Sequence, residues 1–142
     1  IQITETHVAN GAHPPGFVTL MDMRNIEHPI RISTFNPYPI DPITMRPKDP
    51  IWCQQGARYG AHNTWQWMKA DDLLYLTWFA AGLRIVDWSN PFEPKEVGYY
   101  MPAGNKDYFA PQTNEVFRDP DTGLLYISDR RGLGLHIVEY TG

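Results

Sequence analysis

Few side chains in this sequence are equipped for chemistry, and they are scattered. His7, His13, His28, His62 and His136 are the five histidines, and no two have the i, i+4 spacing that sets a pair of imidazoles on one helical face to hold zinc. Cys53 stands alone, so it forms no internal disulfide, and a distant histidine is too little to make it a nucleophile. Asp119 and Asp121 in "RDPDTG" have calcium-like spacing but lack the further oxygen ligands and closing glutamate of a calcium loop, so a hairpin turn is expected there. There is no glycine-rich phosphate loop, nucleophile elbow or CxxC pair. Asp22, Asp87 and Glu139 could suggest a ring of carboxylates, because each follows a similar apolar strand. The simpler account is that each acid accepts backbone N–H groups where that strand ends.

What places these acids is a repeat. "FVTLMDMRNIEHPIRISTF" from Phe17 aligns with "GLRIVDWSNPFEPKEVGYY" from Gly82, setting Asp22 under Asp87, Asn25 under Asn90, Pro29 under Pro94 and Ile32 under Val97. "GLHIVEYTG" from Gly134 is a third copy that stops at Gly142. Within the second copy, 73–78 and 83–88 are strand-length runs of branched and aromatic residues joined by a small-residue link containing Gly82, which predicts a hairpin. "SNPFEP" must turn, since Pro91 and Pro94 donate no ladder hydrogen bond. "KEVGYY" follows as an outer strand and "GAHNTWQWM" precedes as an inner one, giving a four-stranded meander.

Four-stranded units recurring along a chain predict an all-β fold, a β-propeller fragment of two to three blades. Residues 1–35 read as a partial blade without its first strand, 36–60 as a long proline-rich loop, 61–101 as a full blade, and 102–142 as a last blade without its outer strand. About ten strands are expected, with almost no helix outside the loop. Leu83, Ile85, Leu135 and Ile137 should share one face of their sheets and Val86 and Val138 the other, all of them buried. Because both ends interrupt a blade and the chain opens at Ile1 without a leader, the expectation is a piece of a larger ring, completed by further blades or by a second subunit.

Totals narrow the partners. Twelve Lys and Arg against 16 Asp and Glu give a net charge of -4 with no basic run, which argues against nucleic acid. Thirteen Pro, 11 Gly and 13% aromatic residues suit a turn-rich β domain. The most apolar stretch, "LLYLTWFAAGLRIVDW", is broken by Gly82 and Arg84 and is too short to cross a bilayer as a helix.

The motif "GLRIVDWSNPFEPKEVGYY" resembles the repeat of LVIVD-repeat proteins, and "QTNEVFRDPDTGLLYISDRRGLGLHIVEYTG" is similar to the last blade of their bacterial members. The match is close over the second and third units and loose over the first, where "LMDMRNIEHP" lacks the serine and the first proline. The resemblance implies a propeller, often exported and hence periplasmic or extracellular, with no activity common to the family. The repeat motif itself carries no catalytic assignment.

In a propeller the innermost strand of each blade lines the channel. His62 enters that strand in the middle blade, and Gln112, Asn114 and Glu115 fall at the matching place in the next. Together they could hold a transition metal, with His62 as ligand, or orient a small ligand; equally, they could satisfy backbone groups near the axis. Arg130 and Arg131 beside a glycine-rich link suit a carboxylate or phosphate ligand, or a carboxylate on the neighbouring blade. Trp52, Trp65, Trp67, Trp78 and Trp88 suit packing between blades better than a sugar platform. The leading expectation is a binding or scaffold module that holds a small molecule or partner protein at one face. The alternative is a metal-dependent enzyme with its site in the channel, His62 acting as ligand or general base and Glu115 as acid or base.

Overall fold

Branched and aromatic residues at alternate positions, punctuated by glycine and proline, fold into short strands, nine of them among the described residues. The structure is a computed structural model that describes residues 2–3, 16–39, 41–44, 48, 58–65 and 72–142. Among the described residues there is no helix, and none long and apolar enough to cross a membrane. The strands are β1 (Gln2–Ile3), β2 (Val18–Asp22), β3 (Ile30–Phe35), β4 (Leu73–Thr77), β5 (Leu83–Asp87), β6 (Lys95–Tyr100), β7 (Thr113–Arg118), β8 (Leu125–Asp129) and β9 (Leu135–Val138). They form three antiparallel sheets in sequence order, β1-β2-β3, β4-β5-β6 and β7-β8-β9. The described residues are all-β, and their three small antiparallel sheets are compatible with a β-propeller.

Among the described residues each sheet has three strands, and residues 66–68 of the inner strand expected in the middle unit lie outside them. The described start of that segment runs along the edge of β4. Thr64 bridges Leu76, the N–H groups of His62 and Trp65 donate to the carbonyls of Thr77 and Tyr75, and the Thr77 N–H donates to Asn63. Within the last sheet β7 holds that inner position, and the described residues provide no counterpart of β6 outside β9.

The repeat seen in sequence is also a repeat of backbone pairing. In β5–β6, Ile85 pairs Gly98 and Val86 pairs Glu96, which leaves Val97 as a bulge; in β2–β3, Leu20 pairs Ser33 and Met21 pairs Arg31, which leaves Ile32. Ile32 and Val97 occupy equivalent repeat positions, so both outer strands bend at the same point. The corner before them is closed alike. Asp22 accepts the Arg24 N–H at 3.0 Å and Asp87 accepts the Ser89 N–H at 2.8 Å. Both carboxyls are held below the usual aspartate range, Asp22 chiefly by the Arg24 side chain and Asp87 chiefly by the Ser89 N–H. A group more acidic in the folded chain contributes stability above its unfolded pKa and loses it as pH falls through the folded one. Thermal midpoints measured from about pH 5 to pH 2 should therefore fall for the wild-type chain, and less steeply for Asp87→Asn.

The sheets stack face to face through two apolar layers. Val18, Leu20 and Phe35 from the first sheet meet Leu74, Leu76, Trp78 and Val86 around the middle one. Tyr75, Leu83 and Ile85 turn to the other side and meet Val116, Leu125 and Ile127 of the last sheet. Alternation along β4 and β5 thus covers both faces of the middle sheet.

Alternation holds in β9 too, but two of the residues expected in the core are not there. Leu135 is 63% exposed and Ile137 56% exposed, whereas Val138 packs on the second layer. Leu135 and Ile137 do occupy the positions of Leu83 and Ile85, yet they face away from the middle sheet, and no described sheet covers that side. Arg84 is the opposite case, a charge in an apolar strand that is 3% exposed. Its guanidinium donates to the Ala81 carbonyl, to Glu96 and to the Tyr38 hydroxyl, and lies over the Tyr38 and Tyr99 rings. Every polar edge is thereby answered, as a buried cation requires. Burial raises the Glu96 carboxyl, against the pull of Arg84.

Candidate functional site

The turn from β4 to β5 is where the expected site residues of two sheets meet. "WFAAG" closes tightly: the Ala81 N–H donates to the Trp78 carbonyl, the Gly82 N–H to Phe79, and the Trp78 N–H to Gly82. Closing it places Phe79 at φ +34°, a left-handed conformation that is strained for a bulky residue. The Phe79 carbonyl accepts the Thr113 N–H at the start of β7, and this bridge fixes the turn to the next sheet.

His62 sits beside that turn, its ring 4.6 Å from the Phe79 ring. Its Nδ1 lies 2.8 Å from the backbone oxygen of Asn114. A carbonyl only accepts, so Nδ1 is the protonated, donating nitrogen in this contact. The carbonyl is presented by a bulge: Thr113 pairs Asp129 and Glu115 pairs Ser128, leaving Asn114 out of register. The Thr77 hydroxyl donates to the same oxygen at 3.0 Å. Next to it the Asn63 amide donates to Glu115 at 2.7 Å. Inner segments of neighbouring sheets are thus tied together side by side.

Gln112 behaves differently. It is 1% exposed, and its amide nitrogen donates to the carbonyls of Pro111 and Arg58, while its own N–H donates to Asp129. It is a buried strut and presents no group to a ligand. Asn114 likewise brings its backbone to His62. The arginines part company, Arg130 lying 5.9 Å from the Phe79 centroid and Arg131 5.9 Å from that of Tyr108. Of the sequence candidates, His62, Asn114, Glu115 and Arg130 gather near the turn, and Arg131 points elsewhere.

Among the described residues no three His, Cys, Asp or Glu side chains are grouped to hold a metal ion. His28 is exposed in the β2–β3 corner, and His136 in β9 meets the Tyr100 hydroxyl at 3.1 Å. The "RDPDTG" segment is a hairpin turn, in which Asp119 accepts the Asp121 N–H and the Thr122 hydroxyl. Trp78 is buried in the first layer with Trp88 packed against it, and Trp65 packs on the second layer and on Phe117, so these three tryptophans join sheets. His7, His13, Trp52, Cys53 and Trp67 lie outside the described residues.

Sequence reading missed Arg58 and Phe79. Arg58 lies 5.5 Å from the Phe79 centroid and accepts, through its carbonyl, the Ala80 N–H. It falls in the stretch read as a loop, where no periodicity marks it. No protein-family model, curated protein or solved structure matches this chain.

Proposed function

We propose that the chain is part of a β-propeller of LVIVD-repeat type that works as a binding or scaffold module, with a small ligand or partner protein held at the face carrying the β4–β5 turn. The family reading is supported by the repeat with its serine-asparagine-proline corner, and by the bulge that recurs at Ile32 and Val97. The binding reading rests on one observation, the convergence of His62 on the bulged Asn114 carbonyl of the next sheet, with Asn63 and Glu115 alongside. Bulges that aim a group and a strained residue beside it are features of functional sites rather than of plain sheet. A periplasmic or extracellular location follows from the family reading alone.

The alternative, a metal-dependent enzyme, draws on the tautomer of His62. An imidazole whose Nδ1–H is fixed by a carbonyl offers Nε2 as a ligand.

His62→Ala separates these readings from a purely structural role. The Asn114 carbonyl keeps the Thr77 hydroxyl, so stability should fall by no more than about 1 kcal/mol. A thermal-shift screen of small polar metabolites should find a compound that raises the wild-type midpoint and leaves that of His62→Ala where it was. Stoichiometric retention of added zinc, nickel or copper, lost in His62→Ala, would favour the enzyme. A large loss of stability with every ligand response intact would leave His62 a structural residue.

A further inference from the structure

Along the middle sheet β5 is paired on both sides, by β4 and by β6, whereas β9, at the same place in the repeat, is paired by β8 alone among the described residues. Edges that merely end a sheet are commonly blunted by proline or a bulge. β9 has neither: Leu135, His136, Ile137 and Val138 pair without interruption with Ser128, Ile127, Tyr126 and Leu125. Beside it lies a groove of about 550 Å³, lined by Val138 and Glu139 at the end of β9, by Glu96 and Tyr100 of β6, and by the apolar side chains of Ile85 and Leu125.

Two side chains here lack what their counterparts in and after β5 possess. Arg84 reaches Tyr38, which follows β3, and also Glu96 on its own outer strand. His136, its equivalent, reaches the Tyr100 hydroxyl of the preceding sheet, but its Nε2 is buried with no hydrogen-bond partner among the described residues. Asp87 stands opposite Lys95 in the β5–β6 ladder. Glu139, the equivalent of Asp87, is exposed and forms no ion pair among the described residues. In both cases the absent partner is one that a strand lying as β6 lies would supply.

We propose that β9 is a docking edge for an extended strand of a partner polypeptide, added antiparallel in the register that β6 keeps on β5. Main-chain hydrogen bonds along the edge hold such a strand, and its alternate side chains set which sequence is accepted. By that register a basic residue stands opposite Glu139 and a hydrogen-bonding side chain opposite Val138, on the face of β9 that His136 shares. Aromatic residues follow opposite His136 and Leu135, where β6 has Tyr99 and Tyr100. The groove admits the side chains that turn inward. These residues are not those gathered about Phe79, so the edge gives the module a second surface, for an extended peptide rather than a small ligand, and its test does not depend on His62.

The test is a fluorescence-anisotropy titration of the full chain, kept dilute, against a labelled synthetic peptide of residues 92–101, FEPKEVGYYM, which carries the β6 sequence. The peptide should bind and should slow hydrogen exchange of the β9 amides. With Gly98→Pro and Tyr99→Pro together it should not bind, because one of two successive N–H groups must face the partner strand. Lys95→Glu in the peptide should weaken binding by about threefold or more, since it sets like charges opposite each other, and Glu139→Lys in the chain should restore it. Glu139 is exposed, and the thermal midpoint of its variant shows that the chain is folded. No binding by the wild-type chain overturns the proposal, as does equal binding of the proline peptide. So does protection that falls outside β9, or faster exchange in β6, which would mean that the peptide displaces β6 from β5. A Lys95→Glu peptide bound alike by the wild-type chain and by Glu139→Lys overturns the register and the proposal with it.

Discussion

Replacing Gly82 with alanine is expected to cost more than about 3 kcal/mol and to lower the melting temperature by roughly 10 °C. Gly82 lies at φ +74°, where a side chain alone costs about 1–2 kcal/mol. The larger part comes from space. A β-carbon at this position would stand 2.2 Å from the Tyr100 carbonyl oxygen and 2.9 Å from the Met101 sulfur. The first of these is backbone in the neighbouring strand, paired with Leu83, so it cannot swing aside without opening the β5–β6 ladder. Gly132→Ala is the control. It has nearly the same φ, +81°, with nothing within 4 Å of the added carbon, and should cost only about 1–2 kcal/mol. Thermal or denaturant unfolding of the two variants side by side decides the matter. Equal losses would mean that close approach at Gly82 contributes nothing beyond its dihedral angle.

Gly82 was legible as a turn residue because a hairpin between two apolar runs needs a left-handed position, and glycine supplies it. The corners at Asp22 and Asp87 were legible for a similar reason: the acid that accepts a backbone N–H and the prolines that end the ladder are local requirements written in local sequence. Other features answer to contacts that no local pattern encodes. Period-two alternation correctly grouped Leu135 with Ile137, but it cannot say whether their shared face has a neighbour. Phe79 takes a positive φ without being glycine, so nothing in its type announces the strain. His62 was found by its place ahead of a strand, yet its partner is a carbonyl exposed by a bulge, and every residue has a carbonyl. Arg84 reads as an interruption in an apolar strand, and what allows its burial is far along the chain, at Tyr38.

The chain of 142 residues is expected to associate with itself in solution, and Leu135→Lys with Ile137→Lys is expected to abolish that association. Repeat equivalence supplies the reason. On the middle sheet Leu83 and Ile85 are covered by the last sheet, through Val116, Leu125 and Ile127. On the last sheet Leu135 and Ile137 present the same positions to solvent, with Phe117 exposed near them. What fits such a face is another sheet of the same build, and in a solution of the chain alone only a second copy offers one. The edge of β9 adds to this, since β5 at the same place is paired with β6. Contact between the last sheet of one copy and the first of another is heterologous, so it repeats until a ring closes or a filament grows. Light scattering across a concentration series should therefore show species larger than a monomer. The two lysines should restore the monomer and leave the melting temperature of that monomer nearly unchanged, because both side chains stand more than half exposed. A wild-type chain that stays monomeric at high concentration and unfolds cooperatively would show that the face needs no cover, and the case for a neighbouring sheet of this kind would fail.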